Sequence, residues 1–190
     1  MFDKIRERIR QIILDNSKST FETFIATDSN IFSISQDNII DVTNITVNGI
    51  SIGNAYSLDG NNVTLESGTF STNDVVIIYF DYTKWSDSEL DSYILSTLTY
   101  LDSYTYPISF IAESGNLNIY PIPNRKEQSL ISLIASILIQ PNFSQYQTSS
   151  VNVRYPRTMT KEERIEKLIS KFKFSKEGIS GIIDMLGSET

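Results

Sequence analysis

The chain contains no cysteine and no histidine in its 190 residues. The first absence excludes disulfides and thiol nucleophiles. The second excludes His-ligated metals and every catalytic scheme that moves a proton through an imidazole. Acid–base or metal chemistry would have to rest on carboxylates alone. A chain without thiols fits an oxidising or a reducing compartment equally well. Long apolar runs are missing too: no segment is long enough to span a bilayer, and the N-terminal MFDKIRERIR carries charges where a secretory leader has its apolar core. The expectation is a soluble protein made without a cleaved leader.

Cations are absent from one continuous third of the chain. Residues 19–83 hold eight acids (Glu22, Asp28, Asp37, Asp41, Asp59, Glu66, Asp74, Asp81) and no Lys or Arg, a field that repels nucleic-acid phosphates. Between Arg154 and Lys176 the balance reverses, with eight basic residues against three Glu. With 40% hydrophobic residues the chain can bury a real core, but it is short for two large domains, so one domain with a β insertion is expected. There is no internal repeat and no low-complexity block.

The change of architecture falls between residues 74 and 101. Val75 to Phe80 is apolar or aromatic on both faces, which predicts a strand covered on both sides. After Tyr82 the period becomes helical. Ser86 and Glu89 form a capping-box pair, followed by the stripe Leu90, Tyr93, Ile94, Thr97, Leu98 and Leu101. Upstream, Phe2, Ile5, Ile9, Ile12 and Ile13 predict a first helix over 2–14. Short Thr/Ile/Phe/Val runs then predict strands at 20–25, 31–35, 44–47, 50–52, 55–58, 63–66 and 75–82. Asn48-Gly49 is placed for a two-residue hairpin turn and Asp59-Gly60-Asn61-Asn62 for a slightly longer one.

Downstream, 102–124 reads as a long polar and aromatic loop with a short strand at 117–120. Residues 125–140 form a third helix, apolar almost all the way round, and Pro141 stops it. An extended arm follows, in which Val151, Val153 and Tyr155 alternate. Thr160 and Glu163 cap a fourth helix with Ile165, Leu168, Ile169 and Phe172 on one face. The tail after Phe174 contains Gly178 and Gly181 and is only marginally helical. The fold class is therefore α+β: a core of about four helices with an antiparallel β meander or sandwich inserted between the first and second helices.

Weighing the chemistry favours structure over catalysis. Asp87, Glu89 and Asp91 could make a carboxylate or hard-cation site, but acids at a helix N-terminus complement its dipole, and that reading is preferred. Asp59 to Asn62 offers oxygen ligands without the spacing or closing Glu of an EF-hand, so a turn is preferred. Gly115, Gly178 and Gly181 fit no phosphate-binding pattern. The basic face of the fourth helix, Lys161, Arg164, Lys167 and Lys171 with Arg154 and Arg157 beside it, is open between a solvated surface and a contact with DNA phosphates or an acidic protein.

Taken together, the N-terminal helix, the insertion ending in DVVIIYFDYTKW, the capped helix SDSELDSYILSTLTYL, the helix LISLIASILIQ, the extended arm and the basic helix MTKEERIEKLISKFK resemble the head–tail connector proteins of tailed bacteriophages, the adaptor or head-completion proteins of the neck. The resemblance lies in residues 1–15 and 84–173 and in patterns of character rather than invariant signatures; the long acidic β insertion departs from the smallest, nearly all-helical relatives. It implies a non-enzymatic virion subunit in a ring, about twelve-fold, beneath the portal, with DNA passing through its lumen without specific binding. The expected division is 1–18 with 84–173 as the helical core, containing extended loops at 102–124 and 141–158; 19–83 as the inserted β domain; and 174–190 as a tail. Leu130, Leu133, Ile134, Ile137 and Leu138 are the expected inter-subunit surface. Docking to the portal is expected from Lys161, Arg164, Lys167 and Lys171 and from a tail stripe of Ile179, Ile182, Ile183 and Leu186. Partners are further copies, the portal and other neck or tail proteins; no cofactor, metal or membrane is expected. The competing expectation is a β module that binds a ligand such as a glycan through exposed Tyr, Trp85 and Asn.

Overall fold

The computed structural model describes residues 1–104, 106–113, 118–147, 151–174 and 181–184. The chain divides into two compact units, Met1–Leu14 with Asp87–Thr190, and Asp15–Ser86. The boundaries lie a few residues from those expected at 18/19 and 83/84.

The unit Asp15–Ser86 is a sandwich of antiparallel sheets. Its strands are β1 (Lys18–Ile25), β2 (Ile31–Ser33), β3 (Ile39–Val47), β4 (Ile50–Ser51), β5 (Tyr56–Asp59), β6 (Asn62–Leu65) and β7 (Val75–Tyr82). One sheet runs β1-β7-β3-β4 and the other β2-β6-β5. Period-two alternation on β7 sends Val76, Ile78 and Phe80 inward, where they meet Phe32, Val63 and Leu65 of the second sheet. The other face of β7 corrects the expectation of a strand covered on both sides: Val75 is exposed, and Ile77 and Tyr79 are half-buried. An antiparallel sheet is stable with one face solvated.

Asn48 and Gly49 take φ of 50° and 82° between β3 and β4, the two positive values a tight hairpin turn requires. The second turn is shorter than expected. Asp59 pairs with Asn62, leaving two residues, with Gly60 at φ 58°. β3 begins five residues before its expected start, because register shifts at Ile39/Asp41 and Val42/Asn44 interrupt the alternation that marks a strand.

The other unit contains α1 (Phe2–Ile13), α2 (Asp87–Ser103), α3 (Arg125–Ile139) and α4 (Lys161–Phe174), with short strands between α2 and α3 and between α3 and α4. The apolar stripes foreseen on α1, α2 and α4 are buried, except that Tyr93 stays half-exposed. Asn124 caps α3 through the Glu127 amide at 3.0 Å while the Glu127 carboxylate accepts from the Asn124 amide at 2.7 Å. Thr160 and Glu163 make the same reciprocal pair at 3.2 and 2.8 Å before α4.

The short strand expected at 117–120 is β9 (Asn118–Tyr120) and the alternating arm contains β11 (Val151–Arg154), but each has an unforeseen antiparallel partner, β8 (Ile111–Glu113) and β10 (Gln145–Gln147) respectively. The marginal helix expected in the tail is a strand at 181–184, β12 (Gly181–Asp184), which lies parallel to β11. Its Gly and paired Ile residues suit an extended backbone better than a helical one.

Candidate functional site

The helix expected to face other subunits is the centre of its own unit. Leu130, Leu133, Ile134 and Ile137 have no solvent exposure, and Leu138 is half-buried. α3 is covered by α1, α2, α4 and β10, so its all-round apolarity is satisfied within one chain. Ser129, Ser132 and Ser136 are buried with it, each hydroxyl donating to the carbonyl four residues back at 2.9, 2.8 and 2.7 Å. These five positions therefore do not form an exposed surface for another copy.

The basic face of α4 is also smaller than its sequence suggests. Arg164 is 3% exposed. Its guanidinium donates to the carbonyls of Pro141 and Phe143, the latter at 2.8 Å, with a longer approach to Pro156 at 3.5 Å, and it sits over the Tyr155 ring at 5.8 Å. It fixes the two ends of the β10–β11 hairpin and is not available to a partner. Lys161 pairs with neighbouring Glu162 at 3.4 Å, while Lys167 and Lys171 lie on the exposed side. Lys173 donates to the Tyr104 carbonyl at 2.7 Å. Ile182 and Ile183 fall in β12; Ile179 and Leu186 lie outside the described residues. A helical stripe linking these four does not exist, because two of them are in a strand.

Burial around Arg164 perturbs two phenols. Tyr155 is pushed far up by desolvation and then by neighbouring Tyr146, against the attraction of Arg164. Tyr146 is raised by burial in the same way, and its hydroxyl donates to the Gln140 carbonyl. Both are neutral at any physiological pH, so neither acts as a base.

The carboxylates at the start of α2 are held by α1. Asp87 accepts from Arg10 at 2.9 Å and also from Arg6, which reaches Asp91 at 3.1 Å and Asp3 at 3.0 Å. Partial burial works to raise Asp87, but the Arg10 hydrogen bond and the Arg6 and Arg10 charges outweigh it and hold the carboxyl below its ordinary value. Asp91 moves up, because burial and the charges of Asp87 and Asp3 exceed the pull of Arg6. The cluster ties two helices together. Among the described residues no group of three or more Asp or Glu could hold a metal ion.

Two open surfaces stand out among the described residues. Along α2 a shallow groove of about 450 Å³ is lined by Ser96, Thr99, Tyr100, Ser103 and Tyr104. The hydroxyls of Ser96, Thr99 and Ser103 donate to carbonyls four residues back, which leaves them acceptors for a ligand and poor nucleophiles. The second surface is the outer face of β1 and β7, where Phe21 is 58% and Ile25 60% exposed and the Phe21 and Tyr79 rings lie 5.6 Å apart. In the sequence this face is hidden, because a Phe and an Ile in a short β run read by default as core. The sparse-lysine composition of the strand was the available signal. No family model matches the chain, and no curated protein matches it either.

Proposed function

We propose that the protein is a structural subunit of a phage neck, assembling with further copies into a ring that joins the portal to the tail and lets DNA pass. The observation that carries this reading is the division of charge along the fold. The unit Asp15–Ser86 holds nine Asp and Glu against two Lys, while the remaining helical unit holds 14 residues of each sign. A balanced helical unit can pack against neighbours without a large electrostatic penalty, and an acidic module repels a moving DNA strand instead of gripping it. The inter-subunit surface in this reading is not α3. It is drawn from exposed positions such as Leu95 and the groove of α2, and from Lys167 and Lys171 of α4.

A second reading, a ligand-binding β module, is favoured by the open Phe21 and Tyr79 face. Native mass measurement and negative-stain imaging of the purified chain, alone and mixed with a portal protein, separate the two. Closed rings, or rings formed on the portal, support the connector. A monomer that ignores the portal and binds an oligosaccharide array saturably supports the second reading.

A further inference from the structure

We propose that the free edge of β1 is a strand-addition site for an extended segment of a partner protein, apolar on one face and carrying Lys or Arg on the other. This goes beyond the connector reading and does not depend on ring formation.

The backbone supplies the first observation. β1 pairs with β7 on one side and stands at the end of the sheet order β1-β7-β3-β4. The Ala26 amide donates to the Asp74 carbonyl, and the β1–β7 register runs on from that pair without a shift. Hydrogen bonding alternates along an antiparallel ladder, so Thr20, Glu22 and Phe24 turn their backbone groups toward β7, while Ser19, Phe21, Thr23 and Ile25 turn theirs outward. Among the described residues these outward groups meet no backbone partner. Natural edges this long are usually blunted by lysines, proline or a bulge. β1 has one lysine, Lys18 at its start, no proline and no register shift against β7, and its inward-facing charge, Glu22, is already engaged by the amide and hydroxyl of Ser35.

The side chains supply the second. Phe21 and Ile25 are the most exposed apolar residues of the strand, and they lie on the same face as Tyr79 and Val75. An added strand with apolar residues at alternate positions would cover that face while its backbone pairs with the edge. Charge selects the occupant. With nine acids against two lysines, this unit attracts a cationic segment, and a second copy would bring the same acidic field against it.

The test uses the full chain and a synthetic peptide of four Val-Lys repeats. Its control is the same peptide with two valines replaced by proline, which keeps the charge and removes strand pairing. Saturable binding of the first peptide is expected, with slowed amide exchange at Phe21, Thr23 and Ile25 and affinity at least about tenfold above the proline peptide. Thr23→Pro removes only an outward amide, which an edge strand tolerates, and should abolish the binding. Should that variant fail to fold by circular dichroism, Phe21→Ser takes its place and should weaken binding at least about fivefold. Equal affinity for both peptides, or binding unchanged in the folded variants, would reduce the effect to charge attraction and overturn the proposal. So would no binding at about 1 mM peptide. Protection of the same three amides by raising the concentration of the chain alone would assign the edge to a second copy, and that too overturns the proposal.

Discussion

Replacing Arg164 with Met should destabilise the helical unit by about 3 kcal/mol, and the figure follows from what the guanidinium touches. Its loss leaves the carbonyls of Pro141 and Phe143 without a donor that is itself only 3% exposed. A hydrogen bond from a charged donor contributes about 1.5–3 kcal/mol, and the contact with the Tyr155 ring adds about 0.5–2 kcal/mol. Against this, a buried guanidinium carries a desolvation cost of several kcal/mol that Met does not, which pulls the net toward the low end. Met preserves the stem that packs on α4, so the lost contacts are polar ones. Lys keeps a charge but not the fork that reaches two carbonyls, and Arg164→Lys should fall about halfway between Met and the native chain. Denaturant unfolding measures the loss, and a thermal midpoint should drop by about 6–12 °C at 2–4 °C per kcal/mol. Amide exchange should accelerate first at Tyr146 and Val153, whose strands the guanidinium anchors. Stability within about 0.5 kcal/mol of native for Arg164→Met, with hairpin protection unchanged, would refute the assignment of Arg164 as a clip.

Ile134→Asp should unfold the helical unit, seen as lost helical circular dichroism, and Ile134→Ala should cost about 2–5 kcal/mol in denaturant, since the side chain is fully buried among the chain's own helices. A folded monomer from the Asp variant would instead return this position to a subunit interface. Gly49→Val should lower stability by about 1–2 kcal/mol through backbone strain alone, because φ is 82° and nothing lies within 4 Å of an added Cβ. Asp87→Asn should cost about 0.5–1 kcal/mol at pH 7, the range for a partly exposed ion pair in a network. The folded-state carboxyl titrates below its ordinary value, so its contribution is full above the ordinary range and vanishes as pH falls through the depressed one. The two chains should therefore converge only once the pH has fallen below the ordinary carboxylate range. Asp91 has the opposite sign: with its carboxyl raised, its ionised form is penalised at neutral pH, and Asp91→Asn should cost less than Asp87→Asn in the same titration.

The helices were legible because α1, α2 and α4 carry a periodic stripe, α3 is a long apolar run ended by Pro141, and three have a recognisable start or stop. Phe2 through Ile13 and Leu90 through Leu101 repeat at helical spacing, and the Thr160–Glu163 pair marks the first residue of α4. Strands were legible where β-branched and aromatic residues run together, as in β7, and obscure where the pattern breaks. Two bulges in β3 shift inward residues out of phase, so IIDVT reads as loop although it pairs with β7. β8 and β10 are three residues each, too short for period two to rise above chance, whereas β9 falls within the short strand expected at 117–120.

Arg164 shows why charge patterns mislead about sites. It was grouped with Lys161, Lys167 and Lys171 as one basic face, yet it lies four residues before Leu168 and eight before Phe172, which puts it on the buried stripe of α4. Periodicity should have outranked charge there. The α3 error has a different origin. An all-round apolar helix needs neighbours on every side, but the pattern is silent about whose neighbours they are. Three other helices are too few to surround it, and on pattern alone the rest of the cover falls to another subunit. The hairpin hidden in the supposed arm places Tyr146, Val153 and Tyr155 in the interior and completes the cover. A missed pair of short strands thus became an imagined interface. The same logic runs in reverse for β1, where residues assumed to be core are open, and it is there, on Phe21 and Ile25, that the structure leaves apolar surface for something else to bury.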